Sequence, residues 1–260
     1  MTSRFFGDVL PSFWEFKFLL ATTGIVFIKR FRTDRARFAL HFVGFTGIID
    51  HLINHSEAIR MTINLQKGQR ISLEKEAGRG LSRVVMGLGW GMKEVQSRGF
   101  LGFGAGVRQE AVDLDASCLL FDNNGNLVDT VWFRQLKSRC GSIQHSGDDR
   151  AGGGESGADN EQIAIDLNQV PATVLTLIFT VNSFSGESFA GIPSAFCRLT
   201  DGAGGGEVAR FDLSLEGGQH TGLIMTKLYR HGGEWKMQAI GEHAEGRTFH
   251  DLLPAIKPYL

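Results

Sequence analysis

From Met61 onward the chain alternates. In Ile63-Asn-Leu65-Gln and again in Arg70-Ile71-Ser-Leu73-Glu74, apolar and polar residues take turns, the period of a half-buried strand. Residues 82–90 are more apolar and read as a strand set deeper in a core. Residues 112–121, the turn Asp122-Asn-Asn-Gly-Asn126 and residues 127–133 together predict a hairpin. Residues 162–167 alternate again. The unbroken β-branched run 174–181 suits a central strand, and 195–199, 207–213, 221–229 and 234–240 complete the series. Only 247–253 has a helical pattern, expected to stop at Pro254. Many short strands with turn signals between them predict an all-β fold, a β-sandwich of two antiparallel sheets with a few short helices. The 34 glycines and five prolines agree with short strands and tight turns.

The first sixty residues are a different material. They hold half of the 20 phenylalanines, eight Lys/Arg and five Asp/Glu, so they sit near +3 and the remainder near −4, giving −1 overall. The apolar run 18–28 has eleven residues, short of the roughly twenty that span a bilayer. Basic residues follow it rather than precede it, and no small-residue cleavage site is present, so it is not a secretory signal. Three readings stay open for residues 1–60: an amphipathic membrane-surface segment, an accessory piece, or upstream sequence translated from a start placed too early. The last is favoured, because the strand pattern opens at Met61. The expected division is therefore an N-terminal extension, 1–60, and one domain, 61–260.

A net charge of −1 gives no reason to expect a nucleic acid as partner. Cys118, Cys140 and Cys197 are odd in number and lack CxxC spacing, which argues against disulfides or zinc and for a cytoplasmic location. Cys140, beside the loop described next, is the thiol to watch for oxidation, although a buried structural role is expected of it.

Residues 145–161 crowd Asp148, Asp149, Glu155, Asp159 and Glu161 among five glycines, with no apolar residue larger than alanine. Such a segment buries little, and its carboxylates repel one another unless a cation lies between them. A hard cation such as Ca²⁺, which takes six to eight oxygens, is the natural candidate; a solvated loop is the plain alternative. Asp113-Leu-Asp115 adds two carboxylates on one strand face, with Leu114 turned to the core. Strand and loop are expected to make one composite site, a solvated strand end being the alternative for the strand pair. It is not an EF-hand, since neither Asp113 nor Asp122 has a Glu eleven positions on. Enzymatic readings are weaker. Gly186-Glu-Ser188-Phe-Ala190 lacks the last glycine of a nucleophile elbow, the glycines of 99–106 do not fit a dinucleotide fingerprint, and a solvated glycine loop is a poor place to raise a catalytic pKa.

In order along the chain, Lys67-Gly68, Met86-Gly-Leu-Gly-Trp90, Asp113-Leu-Asp-Ala-Ser117, His145-Ser-Gly-Asp148, Asp159-Asn-Glu161, Phe189, Leu228-Tyr-Arg230 and Trp235-Lys236 resemble the TerD domain family. The insertion Gly99-Phe-Leu-Gly-Phe-Gly104 is most similar to its TerZ branch. The resemblance covers Met61 to the C-terminus. It implies a calcium-binding β-sandwich of the bacterial tellurium-resistance and stress-response group. It also implies a non-enzymatic module that works with other Ter-type stress proteins, some at the inner membrane surface. By the same resemblance Asp113, Asp115, Asp148, Asp159 and Glu161 fall on the metal ligands, with His145 and Gly147 in the same motifs; Asn160 can still offer a neutral oxygen to the site, and Asp149 adds a charge. Three departures stand out: Gly91 where the family has Asp, Asp149 and Asn160 inside altered ligand motifs, and Arg134-Gln135-Leu136 in place of Tyr-Asn-Gln. The alternative reading is a Ca²⁺-dependent β-sandwich hydrolase or carbohydrate-binding domain, disfavoured because the acidic loop has no aromatic residue for a sugar to stack on.

Overall fold

The structure, a computed structural model, describes residues 62–97, 106–153, 157–190, 192–204, 206–213 and 218–260, together with two short strands nearer the N-terminus. Contacts divide the chain into Met1–His55 and Ser56–Leu260. In the first unit β1 (Leu19–Ala21) pairs with β2 (Gly24–Val26), antiparallel, inside the apolar run. The other expectations for residues 1–60 lie outside the described residues.

The second unit is a sandwich of two six-stranded sheets. The first runs, in spatial order, β10 (Ile143–His145), β11 (Glu161–Asp166), β5 (Arg83–Trp90), β13 (Ala195–Asp201), β14 (Glu207–Asp212) and β3 (Ile63–Asn64). The second runs β4 (Arg70–Ser72), β16 (Glu234–Ala244), β15 (Gly222–His231), β12 (Val174–Ser183), β8 (Leu114–Asp122) and β9 (Leu127–Val131). Neighbours are antiparallel except β3, which lies parallel to β14.

The period-two pattern does the packing. Val84, Met86, Leu88 and Trp90 of β5 meet Leu114, Ala116, Cys118 and Leu120 of β8 and Leu177, Phe179 and Val181 of β12 in one buried core. The unbroken apolar run in β12 has a second cause. The outer face of this sheet is also covered: Leu119, Phe121, Ile178, Ile224 and Ile240 pack against Phe249, Leu252 and Ile256 of helix α2 (Phe249–Ile256). The hairpin joining β8 to β9 closes where predicted. Asp122 organises its turn by accepting from the Asn124 and Asn126 amides at 2.8 and 2.9 Å.

Two local expectations are corrected and one element is added. The strand read through Glu74 ends at Ser72, where a short helix α1 (Leu73–Ala77) begins; the Ser72 hydroxyl accepts from the Lys75 amide and Gly78, at φ 64°, ends it. Helix α2 does not stop at Pro254 but contains it, because proline there forfeits a single amide donor in a helix held by its apolar face. Finally, β6 (Lys93–Ser97) and β7 (Gly106–Glu110) form a separate two-stranded ribbon that the glycine-rich pattern concealed. The glycine connection between them, 98–105, lies outside the described residues.

Candidate metal centre

The candidate centre is assembled from both sheets at one end of the sandwich. Asp113 and Asp115 come from the entrance of β8, and Asp148 from the loop joining β10 to β11. One carboxylate oxygen from each lies within 4.8 Å of the others. Asp115 is buried, and its Oδ2 has no hydrogen-bond partner, nor has Asp113 Oδ1. Asn182, opposite Asp115 across the β8–β12 ladder, is also buried with an unpartnered Oδ1. Burial, then the Glu161, Asp113 and Asp148 charges, push the Asp115 carboxyl up to about 7. Burial and the Asp148 charge raise Asp113 as well. Opposing them is Arg150, whose Nε donates to Asp148 Oδ2 at 2.9 Å from an exposed position.

The other expected ligands surround this trio without converging on it. Glu161 is fully buried, and both its oxygens are engaged: Oε2 accepts from the Ala116 amide at 2.7 Å and Oε1 from the Asp149 amide at 3.1 Å. It thereby ties the strand that carries Asp115 to the loop that carries Asp148. His145 does related work. Its Nδ1 accepts from the Gly147 amide at 3.0 Å, which places the ring proton on Nε2, 3.2 Å from the Ala116 carbonyl and 3.3 Å from Glu161 Oε2. Asp149 shapes the loop, accepting from the amides of Ala151 and Gly152 and from the Asn160 side chain. Burial would raise its carboxyl, but these hydrogen bonds hold it below the ordinary range.

Asn160 was expected to offer its oxygen to a cation. That oxygen instead accepts from the Trp90 amide at 2.9 Å, while Nδ2 donates to Asp149 and to the Gly153 carbonyl. Asp159 faces away, in a two-point pair with Arg198 at 2.8 and 3.1 Å. Glu155 lies outside the described residues.

The Met86-Gly-Leu-Gly-Trp90 motif now has a physical reading. A Cβ at Gly87 would sit 2.3 Å from the Asp159 carboxylate, and one at Gly89 2.4 Å from the Phe196 ring. Trp90 is the anchor beyond them. Its Nε1 donates to the Val112 carbonyl, immediately before Asp113, and its carbonyl accepts from the Gly153 amide. At Gly91 an added Cβ would meet Pro193 and Ser194 at 3.1 Å, so a side chain there would have to displace its neighbours. Gln135, in the altered stretch after the hairpin, donates to Asp129 and to the Thr130 carbonyl, away from the trio. Arg198 and Asn182 were missed by sequence reading, since each is one polar residue in a strand far along the chain. Cys140 is exposed rather than buried, between the Ser138 and Ser142 hydroxyls; Cys118 and Cys197 are the buried thiols.

The family model described as "TerD domain" matches residues 61–253. The chain belongs to the TerD domain family. It is 44% identical over 192 residues to the tellurium resistance protein TerZ of Serratia marcescens, an alignment covering 73% of this chain and 94% of that protein. It is 38% identical over 200 residues to the stress response protein SCP2 of Bacillus subtilis, covering 74% and 98%. A crystal structure of a homologue of the telluride resistance protein TerD from Streptomyces coelicolor superposes with a TM-score of 0.51 at 18% identity, covering 64% of this chain and 92% of that one. At that identity the match speaks for the sandwich alone.

Proposed function

We propose that this member of a tellurium-resistance and stress-response family is a non-enzymatic, calcium-binding module, with Ca²⁺ held by Asp113, Asp115 and Asp148. The observation that carries this reading is the convergence of three carboxylates, one of them buried with an unpartnered oxygen. Burying like charges together is costly unless a cation offsets them. The donors fit a hard ion: oxygen only, with the unpartnered Asn182 oxygen next to the strand that supplies Asp115. A glycine-rich loop adapts to variable coordination, which suits Ca²⁺ better than the strict octahedron of Mg²⁺. Asp149, Asn160, Glu161, His145 and Gly147 then position the ligands rather than supply them.

Support for a non-enzymatic role comes from the same geometry. His145 has both ring nitrogens committed, so it is not free to serve as a general base. The ion's part is structural: it draws the 113–117 and 145–161 segments together and presents them as a surface. The partners are other Ter-type stress proteins, with the module cytoplasmic and peripheral to the inner membrane. Among the described residues no helix is long and apolar enough to cross a membrane.

The test is thermal unfolding of the full chain after chelation, against added Ca²⁺ and, separately, Mg²⁺. Calcium at about 100 times its Kd should add roughly 2.7 kcal/mol. Asp115→Asn should remove that gain. A flat response at millimolar Ca²⁺ would sink the reading.

A further inference from the structure

The outer face of the second sheet carries a groove of roughly 540 Å³ at the edge formed by β4, β16 and β15, beside helix α1. Strand register explains what lines it. Pairing Arg70 with Gln238 and Gln238 with Lys227 puts one cation on each flank of a row; the next row is Ser72, Lys236 and Tyr229. Ile71, Leu228 and Met237, one step along each strand, point into the core, so this outward polarity follows from the pleat. Lys75 of α1 adds a further charge at the rim.

The balance of charge is uneven. Lys236 is matched by Glu234 at 3.4 Å, and Ser72 donates to that same carboxylate. Arg70, Lys75 and Lys227 have no carboxylate at ion-pair distance among the described residues, although Glu76 also lines the groove. Lys227 is half-buried, and its ammonium is held from behind by the Tyr259 carbonyl at 2.6 Å and over the Tyr229 ring at 4.8 Å. Burial, and then the Arg70 charge, lower its pKa. A cation seated in place beside another cation, with its apolar stem covered, is organised for an anion.

We propose that this groove binds a phosphate-bearing anion, with Arg70 and Lys227 as the principal contacts and Lys75 at the rim. Arg70 offers a planar fork matched to phosphate oxygens, and the lysines offer point charges. The groove is separate from the metal centre. Tyr229 lies seven residues along β15 from Gly222, the residue paired with Asn182, a span of roughly 23 Å at about 3.3 Å per residue.

The probe is inorganic pyrophosphate, titrated calorimetrically into the full chain at low salt. EGTA is present throughout, so that phosphate bridged by calcium at the acidic site is not counted. Binding should weaken about tenfold in Arg70→Gln combined with Lys227→Met and be unchanged in Lys137→Gln, an exposed lysine outside the groove. Since Arg70 is exposed on an edge strand, Arg70→Gln alone tests the site without threatening the fold. A second arm uses phosphatidylcholine vesicles with and without phosphatidylglycerol. Retention on the anionic vesicles that pyrophosphate displaces identifies a lipid headgroup as the source. Pyrophosphate binding without vesicle retention identifies a soluble phosphorylated ligand. The proposal is overturned if pyrophosphate does not bind, even should vesicles retain the protein, or if it binds the groove variants as tightly as the unaltered chain.

Discussion

Asp115 stands at the start of β8 with one oxygen unpartnered, and the charges of Glu161, Asp113 and Asp148 add to burial in raising its carboxyl to about 7 from an ordinary 3.8. A carboxyl with a raised folded-state pKa takes up a proton on folding. Its contribution to stability is complete below the unfolded value and is lost as pH rises through the folded one. The metal-free protein should therefore lose stability between about pH 4 and pH 7, in a window set by Asp115. Asp115→Asn should flatten that loss, and saturating Ca²⁺ should offset it by favouring the ionised form. Melting temperature against pH, with and without the cation, checks all three; an unchanged slope in Asp115→Asn would refute the assignment. The Asp113/Asp115 pair was legible in the chain because a period of two puts both on one face. The roles of Asp159, Asn160 and Glu161 were not. A short acidic run shows that carboxylates are near, but the direction of each side chain is decided by partners such as Arg198 and Trp90, remote in sequence.

At the scale of elements, those partners hold β11 and its loop against β5 and β13. The Asp159–Arg198 pair joins the loop before β11 to β13 across β5, with the Asp159 side chain buried, Arg198 mostly so, and Gly87 leaving room beneath the carboxylate. Removing one member of a buried pair strands the other's charge, so Arg198→Leu should cost about 3 kcal/mol. The double variant Arg198→Leu with Asp159→Asn should recover much of it, since Glu207, the other carboxylate that Arg198 meets, keeps its pair with Arg210. Denaturant midpoints for the two singles and the double decide the matter; strictly additive losses would refute the coupling. Elements were largely readable from alternation, as the β8–β9 hairpin and the doubly covered β12 show. Where short-range chemistry overrode the period it was less so. Ser72 and Gly78 cap a helix inside an apparent strand, and α2 runs through Pro254 because its apolar face is docked.

At the scale of the whole molecule, the centre straddles the seam of the sandwich. Asp115 belongs to the second sheet and Asp113 lies just before its strand, while Asp148 lies on the connection between two strands of the first. The bonds from Glu161 and His145 to Ala116 already cross that seam. A cation bound by all three aspartates adds a further cross-link beside these hydrogen bonds, the Trp90–Val112 bond and the apolar core between the sheets. Its effect should then be unequal along the strands. Near the centre, the amides of 114–117 in β8 and 161–163 in β11 should exchange more slowly with Ca²⁺. At the far ends, the turn 122–126 and the Arg83–Asp166 pairing should exchange as before, because opening there does not separate the ligands. Hydrogen exchange of the full chain, with calcium and with chelator, measures this directly. Slowing confined to the 145–161 loop would mean that the ion orders one loop and leaves the two sheets independent. Slowing on both sides of the seam would mean that calcium locks one end of the sandwich, and a partner that recognises that end would then read cation occupancy.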